Sequence, residues 1–224
     1  IVRRAMRIKA DLIVAERHAT RHMAGWMLAY TDWELLRHAP CAVLLVKVAK
    51  PYHRPVILTA IDPFHTHEKP ARLDAALLAA SGAVAESLKG KLHIVHCVPP
   101  STMIATGWAS GPVVVDAGRG TKALSRARQA LAAEVARHPL PSHKLAILEG
   151  AAREAIPLAA RQVKASLVVM GAVSRSGLKR LLIGNTAEAI LDSLTCDVLV
   201  IKPGRFQSKV ARRSRGAQLM SLPN

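Results

Sequence analysis

The sequence predicts an α/β fold in which helices cover both faces of an open, parallel, doubly wound sheet. Half of the 224 residues are apolar but only 3% are aromatic, so Ala, Leu and Val must form the core, as in helices packed on parallel strands. Candidate strands alternate with candidate helices, which specifies parallel strands joined by right-handed crossovers. The strands are near-continuous V/I/L/A runs, which is typical of strands buried on both faces.

An internal duplication organises the chain. Residues 1–47 align without a gap onto residues 156–202 at an offset of 155, and 12 positions are identical. The match pairs Cys41 with Cys196 and keeps a strand, a loop, a helix and a strand in the same order in both copies. A gapless match of this length indicates a repeat of one structural unit.

Three regions follow from the duplication. The complete domain is predicted to span 51–203, and we expect residues 1–50 to be the C-terminal remnant of a preceding copy that is truncated on its N-terminal side. Such a remnant leaves sheet edges open by itself, so we expect either a lost upstream half or packing of 1–50 on the complete domain. Residues 204–224 contain five basic residues and no acidic one, which predicts a basic, disordered tail.

The predicted elements alternate through the complete domain. Its strands are predicted at 54–62, 91–99, 143–150, 166–170 and 197–202, and its helices at 70–90, 121–138, 152–164 and 186–194. The remnant repeats the last of these as strands at 11–15 and 42–47 around a helix at 31–38. A loop containing Gly, Ser and Pro is predicted at 100–120. This order is that of a Rossmann-like domain.

The segment GAVSRSGLKRLLIGNT, from Gly171 to Thr186, is the candidate ligand site. It leaves the carboxyl end of a parallel strand, where such sheets bind ligands. Gly171 and Gly184 would let backbone N–H groups approach a phosphate. Asn185 or Thr186 begins a helix whose N-terminal N–H groups and dipole favour an anion.

Charged side chains would complete such a site. Arg175, together with Lys179 and Arg180, would supply positive charge, and Asp62, which closes the first strand, would accept hydrogen bonds from a base or ribose. The alternative is a structural loop, in which apolar residues pack against the sister domain. These apolar residues are Leu178, Leu181, Leu182 and Ile183.

The residues of this loop resemble the universal stress protein (UspA) family. The family's nucleotide-binding signature is Gly-x2-Gly-x9-Gly-[Ser/Thr], and Gly171 and Gly184 stand at its first and last glycine positions. Ser174 stands at the second glycine position and Asn185 at the Ser/Thr position. The tandem arrangement resembles the two-domain E-type members, and the resemblance covers residues 1–203.

The resemblance implies a non-catalytic, cytoplasmic protein of the stress response, associated with resistance to DNA damage and other stresses. It also implies that ATP or AMP is the cofactor, with a weak ATPase activity left open. The binding residues that it implies are Asp62, Gly171, Ser174, Arg175, Gly184, Asn185 and Thr186.

Two alternatives come from departures in this loop. Ser174 adds a Cβ where the family has none, so a structural or dimerisation module without nucleotide stays open, as does a domain for a non-nucleotide ligand. In the remnant, the four signature positions carry Glu16, Ala19, Ala29 and Tyr30. A carboxylate in place of the first glycine repels phosphate, so no nucleotide is expected there.

Partners are predicted from charge and from the terminal strands. The net charge is +17, but it is spread along the chain without a DNA- or RNA-binding signature, so no nucleic-acid partner is expected, with a charge-driven contact as the alternative. The resemblance implies self-association or tandem-domain packing through strands 42–47 and 197–202. No apolar run reaches membrane-spanning length, so no membrane partner is expected.

Catalytic and metal motifs are absent from the sequence. It contains no Ser-His-Asp, HExxH or Walker pattern and no carboxylate pair spaced for acid–base catalysis, so the protein is not expected to be an enzyme. His65 and His67 share an extended loop with Glu68, and we interpret this loop as exposed, so no metal site is expected. The three cysteines are widely spaced, as in reduced cytosolic proteins.

Overall fold

The computed structural model describes residues 1–16, 30–48, 50–64, 72–98, 104–107, 111–114, 117–171, 185–203, 206, 208, 210 and 211. The helices in this part of the chain are α1 (Val2–Ile8), α2 (Tyr30–His38), α3 (Leu73–Ser87), α4 (Ala117–Val135), α5 (Ala152–Gln162) and α6 (Asn185–Ser193). The strands are β1 (Leu12–Glu16), β2 (Ala42–Val46), β3 (Val56–Ala60), β4 (Lys91–Val98), β5 (Ile104–Gly107), β6 (Gly111–Val114), β7 (His143–Glu149), β8 (Leu167–Gly171) and β9 (Asp197–Ile201).

Seven strands form one sheet in the order β1-β2-β9-β8-β3-β4-β7. Every neighbouring pair is parallel except β2 and β9, which are antiparallel. Helices α3 and α4 pack on one face of the sheet, and α1, α2, α5 and α6 pack on the other. The predicted α/β class with a doubly wound sheet is therefore confirmed.

The antiparallel junction between β2 and β9 has pseudo-twofold symmetry. Leu44 pairs with Leu199, and these two residues are counterparts under the offset of 155. On either side, Val43 pairs with Val200 and Leu45 pairs with Val198, so each strand contacts the other through equivalent positions. The symmetry axis therefore passes through the Leu44–Leu199 pair, and each of the two strands is hydrogen-bonded on both edges.

Two equivalent lysines extend this symmetry to the helices. Lys47 Nζ donates to the carbonyl oxygens of Leu191, at 2.7 Å, and Leu194, at 2.9 Å, at the end of α6. Lys202 Nζ donates to the carbonyl oxygen of Leu36, near the end of α2. Because Leu36 and Leu191 are also counterparts, each copy caps a helix of the other copy with the same lysine.

A buried carboxylate holds the chain where it leaves β2. Asp197 Oδ1 accepts hydrogen bonds from the backbone N–H groups of Lys47 at 2.6 Å and Val48 at 3.0 Å. The Tyr52 hydroxyl donates to Asp197 Oδ2. Burial and this hydrogen bond both raise the pKa of Tyr52. These contacts fix the connection between residues 1–48 and the complete domain.

Some predicted boundaries were wrong. The predicted loop at 100–120 contains the antiparallel pair β5 and β6, and α4 begins at Ala117 rather than at 121. The strands are short and contain Gly and Pro, and the first turn of α4 contains Gly118 and Gly120, so local propensity argued against both elements. The first strand of the domain ends at Ala60, two residues before Asp62.

Candidate functional site

The candidate site lies at the carboxyl ends of β3, β4 and β8. Strand β3 pairs with β8 on one edge and with β4 on the other, and the helices that follow β3 and β8 pack on opposite faces of the sheet. This is the topological switch point, where a crevice opens between the diverging connections.

Asp62 lies at this crevice, just beyond the end of β3. Its backbone N–H donates to Asp74 Oδ1, from the first turn of α3, at 3.4 Å. Its own Oδ1 accepts a hydrogen bond from the backbone N–H of Phe64 at 3.3 Å. These hydrogen bonds hold Asp62 at the crevice, and its side chain is 16% exposed.

His96, near the end of β4, is the neighbour of Asp62. Its Nδ1 lies 3.1 Å from the carbonyl oxygen of Ile61 and 3.8 Å from Asp62 Oδ1. A carbonyl oxygen only accepts hydrogen bonds, so Nδ1 carries a proton and donates it. In the neutral ring Nε2 is then the acceptor.

An aromatic layer covers His96. The Phe64 ring is tilted by 58° against the His96 ring, with the two centroids 5.5 Å apart. The Arg126 guanidinium, from α4, lies 5.7 Å from the centroid of the Phe64 ring. Phe64 is 39% exposed, so one part of this layer faces solvent beside Asp62. The arrangement joins a cation, an aromatic surface, an imidazole and a carboxylate.

Gly171 ends β8 beside this group. Thr59 of β3 pairs with Val169 of β8. Two residues further along each chain, Ile61 and Gly171 are therefore expected to lie next to each other at the carboxyl edge of the sheet. A Cβ at Gly171 would lie 2.7 Å from Leu73 Cδ2, far inside van der Waals contact. The absence of a side chain therefore lets Leu73, the first residue of α3, pack against β8.

The remaining predicted residues divide into two groups. Asn185 and Thr186 begin α6, which runs back from the carboxyl edge of the sheet towards β9. Ser174, Arg175 and Gly184 lie outside the described residues, as do Lys179, Arg180 and the apolar residues of the same loop. The structure thus brings Asp62 and Gly171 to one edge and places the start of α6 after β8.

Cys97 lies on β4 next to His96. Burial, with a smaller contribution from the Asp62 carboxylate, raises the pKa of Cys97 to about 11. Burial likewise raises the pKa of Cys196 to about 11. Cys41, Cys97 and Cys196 are all unpaired thiols. These raised pKa values keep the two thiols protonated at neutral pH, so neither acts as a thiolate nucleophile there.

Neither a metal site nor a membrane-spanning helix is present among the described residues. No group of three or more His, Cys, Asp or Glu side chains there is placed to hold a metal ion, and His65, His67 and Glu68 lie outside them. In the same part of the chain, no helix combines the length and apolarity that crossing a membrane requires.

The equivalent edge of the first copy carries a different residue. Glu16 ends β1 at the position that corresponds to Gly171, and α2 begins at Tyr30 as α6 begins at Asn185. Ala19 and Ala29 lie outside the described residues. The negative charge of Glu16 at this strand end opposes phosphate binding in the first copy.

Sequence reasoning missed three of the residues at the crevice. These residues are His96, Phe64 and Asp74. The position of His96 could have indicated its role, because it lies near the end of β4, which neighbours the strand before Asp62 in a doubly wound sheet. Asp62 and His96 are 34 residues apart in the sequence, so no local pattern indicates that they are neighbours.

Comparison with known proteins agrees with this architecture. The family model described as the universal stress protein family matches residues 1–47 and 54–202. Universal stress protein E of Salmonella typhi is 31% identical over 210 residues, which cover 89% of this chain and 63% of that protein. Its counterpart from Escherichia coli strain K12 is 30% identical with the same coverage.

Solved structures give the same result. A putative universal stress protein from Pseudomonas aeruginosa UCBPP-PA14 superposes with a TM-score of 0.72 at 31% identity, covering 90% of this chain and 66% of that one. A universal stress protein from Archaeoglobus fulgidus, at 18% identity and a TM-score of 0.59, shares the fold. The chain thus spans slightly less than two thirds of the length of these relatives. With the sequence motif, the duplicated sheet and the matched family model together, the chain belongs to the universal stress protein family.

Proposed function

We propose that the chain is part of a cytoplasmic stress-response protein whose complete domain binds an adenine nucleotide, ATP or AMP, in the crevice beside Asp62. The observation that carries the proposal is the grouping of the Asp62 carboxylate, the His96 ring and the Phe64 ring at the switch point of the sheet. Membership of the universal stress protein family supports the stress-response role. The resistance to DNA damage implied by the resemblance belongs to this proposal.

Each part of the nucleotide has a complementary group. The Asp62 carboxylate would accept hydrogen bonds from ribose hydroxyl groups or from an exocyclic amino group. The half-exposed Phe64 ring would offer an aromatic surface to the base. Phosphates would lie towards Gly171 and the start of α6, with Ser174, Arg175 and Gly184 completing the loop as the sequence predicts.

We propose binding without turnover as the mechanism. The two carboxylates closest to the crevice, Asp62 and Asp74, accept hydrogen bonds from backbone N–H groups. The sequence contains no carboxylate pair spaced for acid–base catalysis, which supports this proposal. The bound nucleotide would therefore act as a ligand that stabilises the domain, by an amount that rises with the logarithm of its concentration once this exceeds Kd.

Nucleotide binding is tested by isothermal titration of ATP and AMP into the parent chain and two variants. Asp62→Asn removes the charge but keeps the size, and we expect it to weaken binding about tenfold or more, since hydrogen bonds to charged groups are worth about 1.5–3 kcal/mol. Glu86→Gln makes the same change at an exposed site on α3 and should leave binding unchanged. Gly184→Asp places a carboxylate in the loop and should abolish binding.

Mass spectrometry of small molecules released from the purified chain identifies the ligand. An adenine nucleotide released by the parent chain and not by Gly184→Asp is the expected result. Equal affinities in the parent, Asp62→Asn and Glu86→Gln, or no binding in any of them, would contradict the proposal.

A second candidate function is assembly without nucleotide. Two observations favour it. Close packing of Leu73 is sufficient to require a glycine at position 171, so this glycine does not by itself indicate a phosphate site. The β2–β9 junction also joins the two copies through equivalent positions. Because β2 and β9 are paired on both edges, we propose that strands 42–47 and 197–202 serve tandem-domain packing within one chain rather than self-association. Negative titrations with a stable fold would select this function.

A further inference from the structure

We propose that the amino-terminal edge of the complete domain's sheet binds the phosphodiester backbone of a nucleic acid. The surface is formed by five basic residues on the segments that enter β8, β3, β4 and β7, and we name it the basic edge. Its members are Arg54, Lys89, Lys91, Lys144 and Lys164. It lies at the opposite end of the strands from the candidate nucleotide site, so the two proposals are independent.

Backbone contacts place these residues in a row. The N–H of Lys91 donates to the carbonyl oxygen of Pro55 at 2.8 Å, which brings the start of β4 next to Arg54. The N–H of Ser166, two residues after Lys164, donates to the carbonyl oxygen of Val56 at 2.8 Å on the other side of β3. The basic edge therefore continues across β3 in both directions.

The row reaches the outermost strand on the β4 side. His93 pairs directly with Lys144 of β7, so both side chains lie on the same face as Lys91, two residues before His93. Burial, and then the charges of Lys144 and Lys91, lower the pKa of His93. The two lysines are thus close enough to act on the same imidazole.

The charge of the basic edge is not neutralised locally. All five side chains are exposed, and segments 50–55, 88–91, 142–144 and 161–166 contain no acidic residue. Among the described residues, the ion pairs of arginine involve Arg37, Arg137 and Arg153 instead. A row of exposed, unpaired cations attracts an anionic partner.

The backbone adds a second observation. Arg54, Lys89 and Lys164 have φ angles of 47°, 49° and 53°, in the left-handed region that favours glycine or asparagine. A long basic side chain at such a position costs about 1 kcal/mol relative to glycine. Three cations therefore occupy turn positions where local stability alone favours another residue.

The shape of the surface indicates the kind of anion. Neighbouring strands are about 4.8 Å apart, so four strands spread the charges over about 15 Å. Duplex nucleic acid carries one negative charge per ~1.7 Å of its axis and so meets the whole row, whereas a small anion neutralises only one or two cations. Four of the five residues are lysines, which suits contact with phosphates rather than reading of bases.

Three carboxylates lie at the opposite edge of the sheet. Asp62, Asp74 and Glu149 lie at the carboxyl ends of β3 and β7 or at the start of α3. The cations of the basic edge therefore lie at the other end of the strands from these carboxylates.

Fluorescence anisotropy with a labelled, mixed-sequence DNA duplex of about 20 base pairs, and an RNA duplex of the same sequence, tests the proposal. The parent chain is compared with Lys89→Gln/Lys91→Gln/Lys144→Gln. A control of equal charge change is Arg4→Gln/Arg7→Gln/Arg128→Gln, whose exposed arginines lie on α1 and α4. A chain that ends at Ala211 lacks three of the tail's five basic residues, Arg212, Arg213 and Arg215.

We expect the basic-edge variant to bind at least tenfold more weakly at low salt and to reduce the slope of log K against log salt by about 2–3, close to one unit per phosphate contact. The control and the shortened chain should keep most of the parent's affinity. Thermal unfolding monitored by circular dichroism verifies that all variants are folded.

Four results would overturn the proposal. Equal weakening in the two triple variants would mean that only net charge matters, and loss of binding in the shortened chain would assign the contact to the tail. Tighter binding of long-chain polyphosphate than of either duplex, measured by competition, would identify a different polyanion as the partner. Absence of binding to both duplexes at low salt would also overturn it.

Discussion

At the scale of single residues, Gly171 has a packing role that its position in a ligand loop did not predict. The sequence predicts that this glycine lets backbone approach a phosphate, and the structure adds a steric reason. Leu73 is 1% exposed and occupies the space where a Cβ at Gly171 would lie. The same glycine therefore joins the start of α3 to the end of β8.

Gly171→Ala is expected to destabilise the chain by about 1–3 kcal/mol, because an added methyl group overpacks a buried contact. The free energy of unfolding is measured by urea titration. A Leu73→Ala variant is the partner in a double-mutant cycle, and the double variant should be more stable than the sum of the single effects predicts, by about 1 kcal/mol. Strict additivity would show that Leu73 is not the cause.

Lys202 is a second residue whose environment changes a measurable property, the pKa of its amino group. The Lys202 side chain is buried, and its Nζ donates a hydrogen bond to the Leu36 carbonyl oxygen. The same Nζ lies 4.6 Å from the centroid of the Phe206 ring. Burial lowers the pKa of Lys202 to about 8. Between this value and about 10.5, the unfolded chain holds a proton that the folded chain has released, so stability from this residue rises with pH.

Lys202→Met should remove this pH dependence. The parent chain is expected to gain about 3 kcal/mol of unfolding free energy relative to the variant as the pH rises from about 8 to about 10.5. Urea titrations of both proteins across this range measure the difference, and the titration of Cys97 and Cys196 cancels because both proteins contain these thiols. Parallel curves would contradict the assignment.

At the scale of elements, the duplication predicts more of the fold than any single motif. Repeated strands and helices were placed to within a few residues, because each copy repeats the apolar pattern of the other. The sequence did not predict β5, β6 or the first turn of α4, because Gly and Pro in these segments have low strand or helix propensity. The proximity of His96 to Asp62 arises from strand order, which local pattern does not encode.

The register at the junction of β2 and β9 can be tested with paired cysteines. Leu44→Cys/Leu199→Cys should form a disulfide under mild oxidation, because opposite residues of antiparallel strands have Cα atoms about 4.5–5.5 Å apart, within disulfide range. Leu44→Cys/Val200→Cys is the matched control, since Val200 faces the other side of the sheet. Intact-mass measurement and non-reducing electrophoresis detect the bond. Cross-linking of the control pair would refute the register.

At the scale of the whole molecule, the two copies share one core. One cluster of buried residues contains Ala5, Ile13 and Leu36 from the first copy together with Ile156 and Leu191 from the second. Because these side chains pack on the same face of one continuous sheet, loss of either copy would expose apolar surface of the other. The described parts of both copies are therefore expected to unfold together.

A single unfolding transition is the expected outcome. In a Trp26→Phe/Trp108→Phe variant, Trp33 reports on the first copy, and far-ultraviolet circular dichroism reports on all helices. The two signals should give the same urea midpoint, since two-state unfolding makes different probes coincide. An earlier transition of Trp33 fluorescence would show that residues 1–48 unfold independently.

The reversed polarity at the β2–β9 junction has an evolutionary corollary. Strands β1 and β2 run opposite to β8 and β9. The carboxyl end of β1 at Glu16 and the carboxyl end of β8 at Gly171 therefore lie at opposite edges of the sheet. A duplicated gene can then specialise one half for architecture while ancestral chemistry persists in its twin.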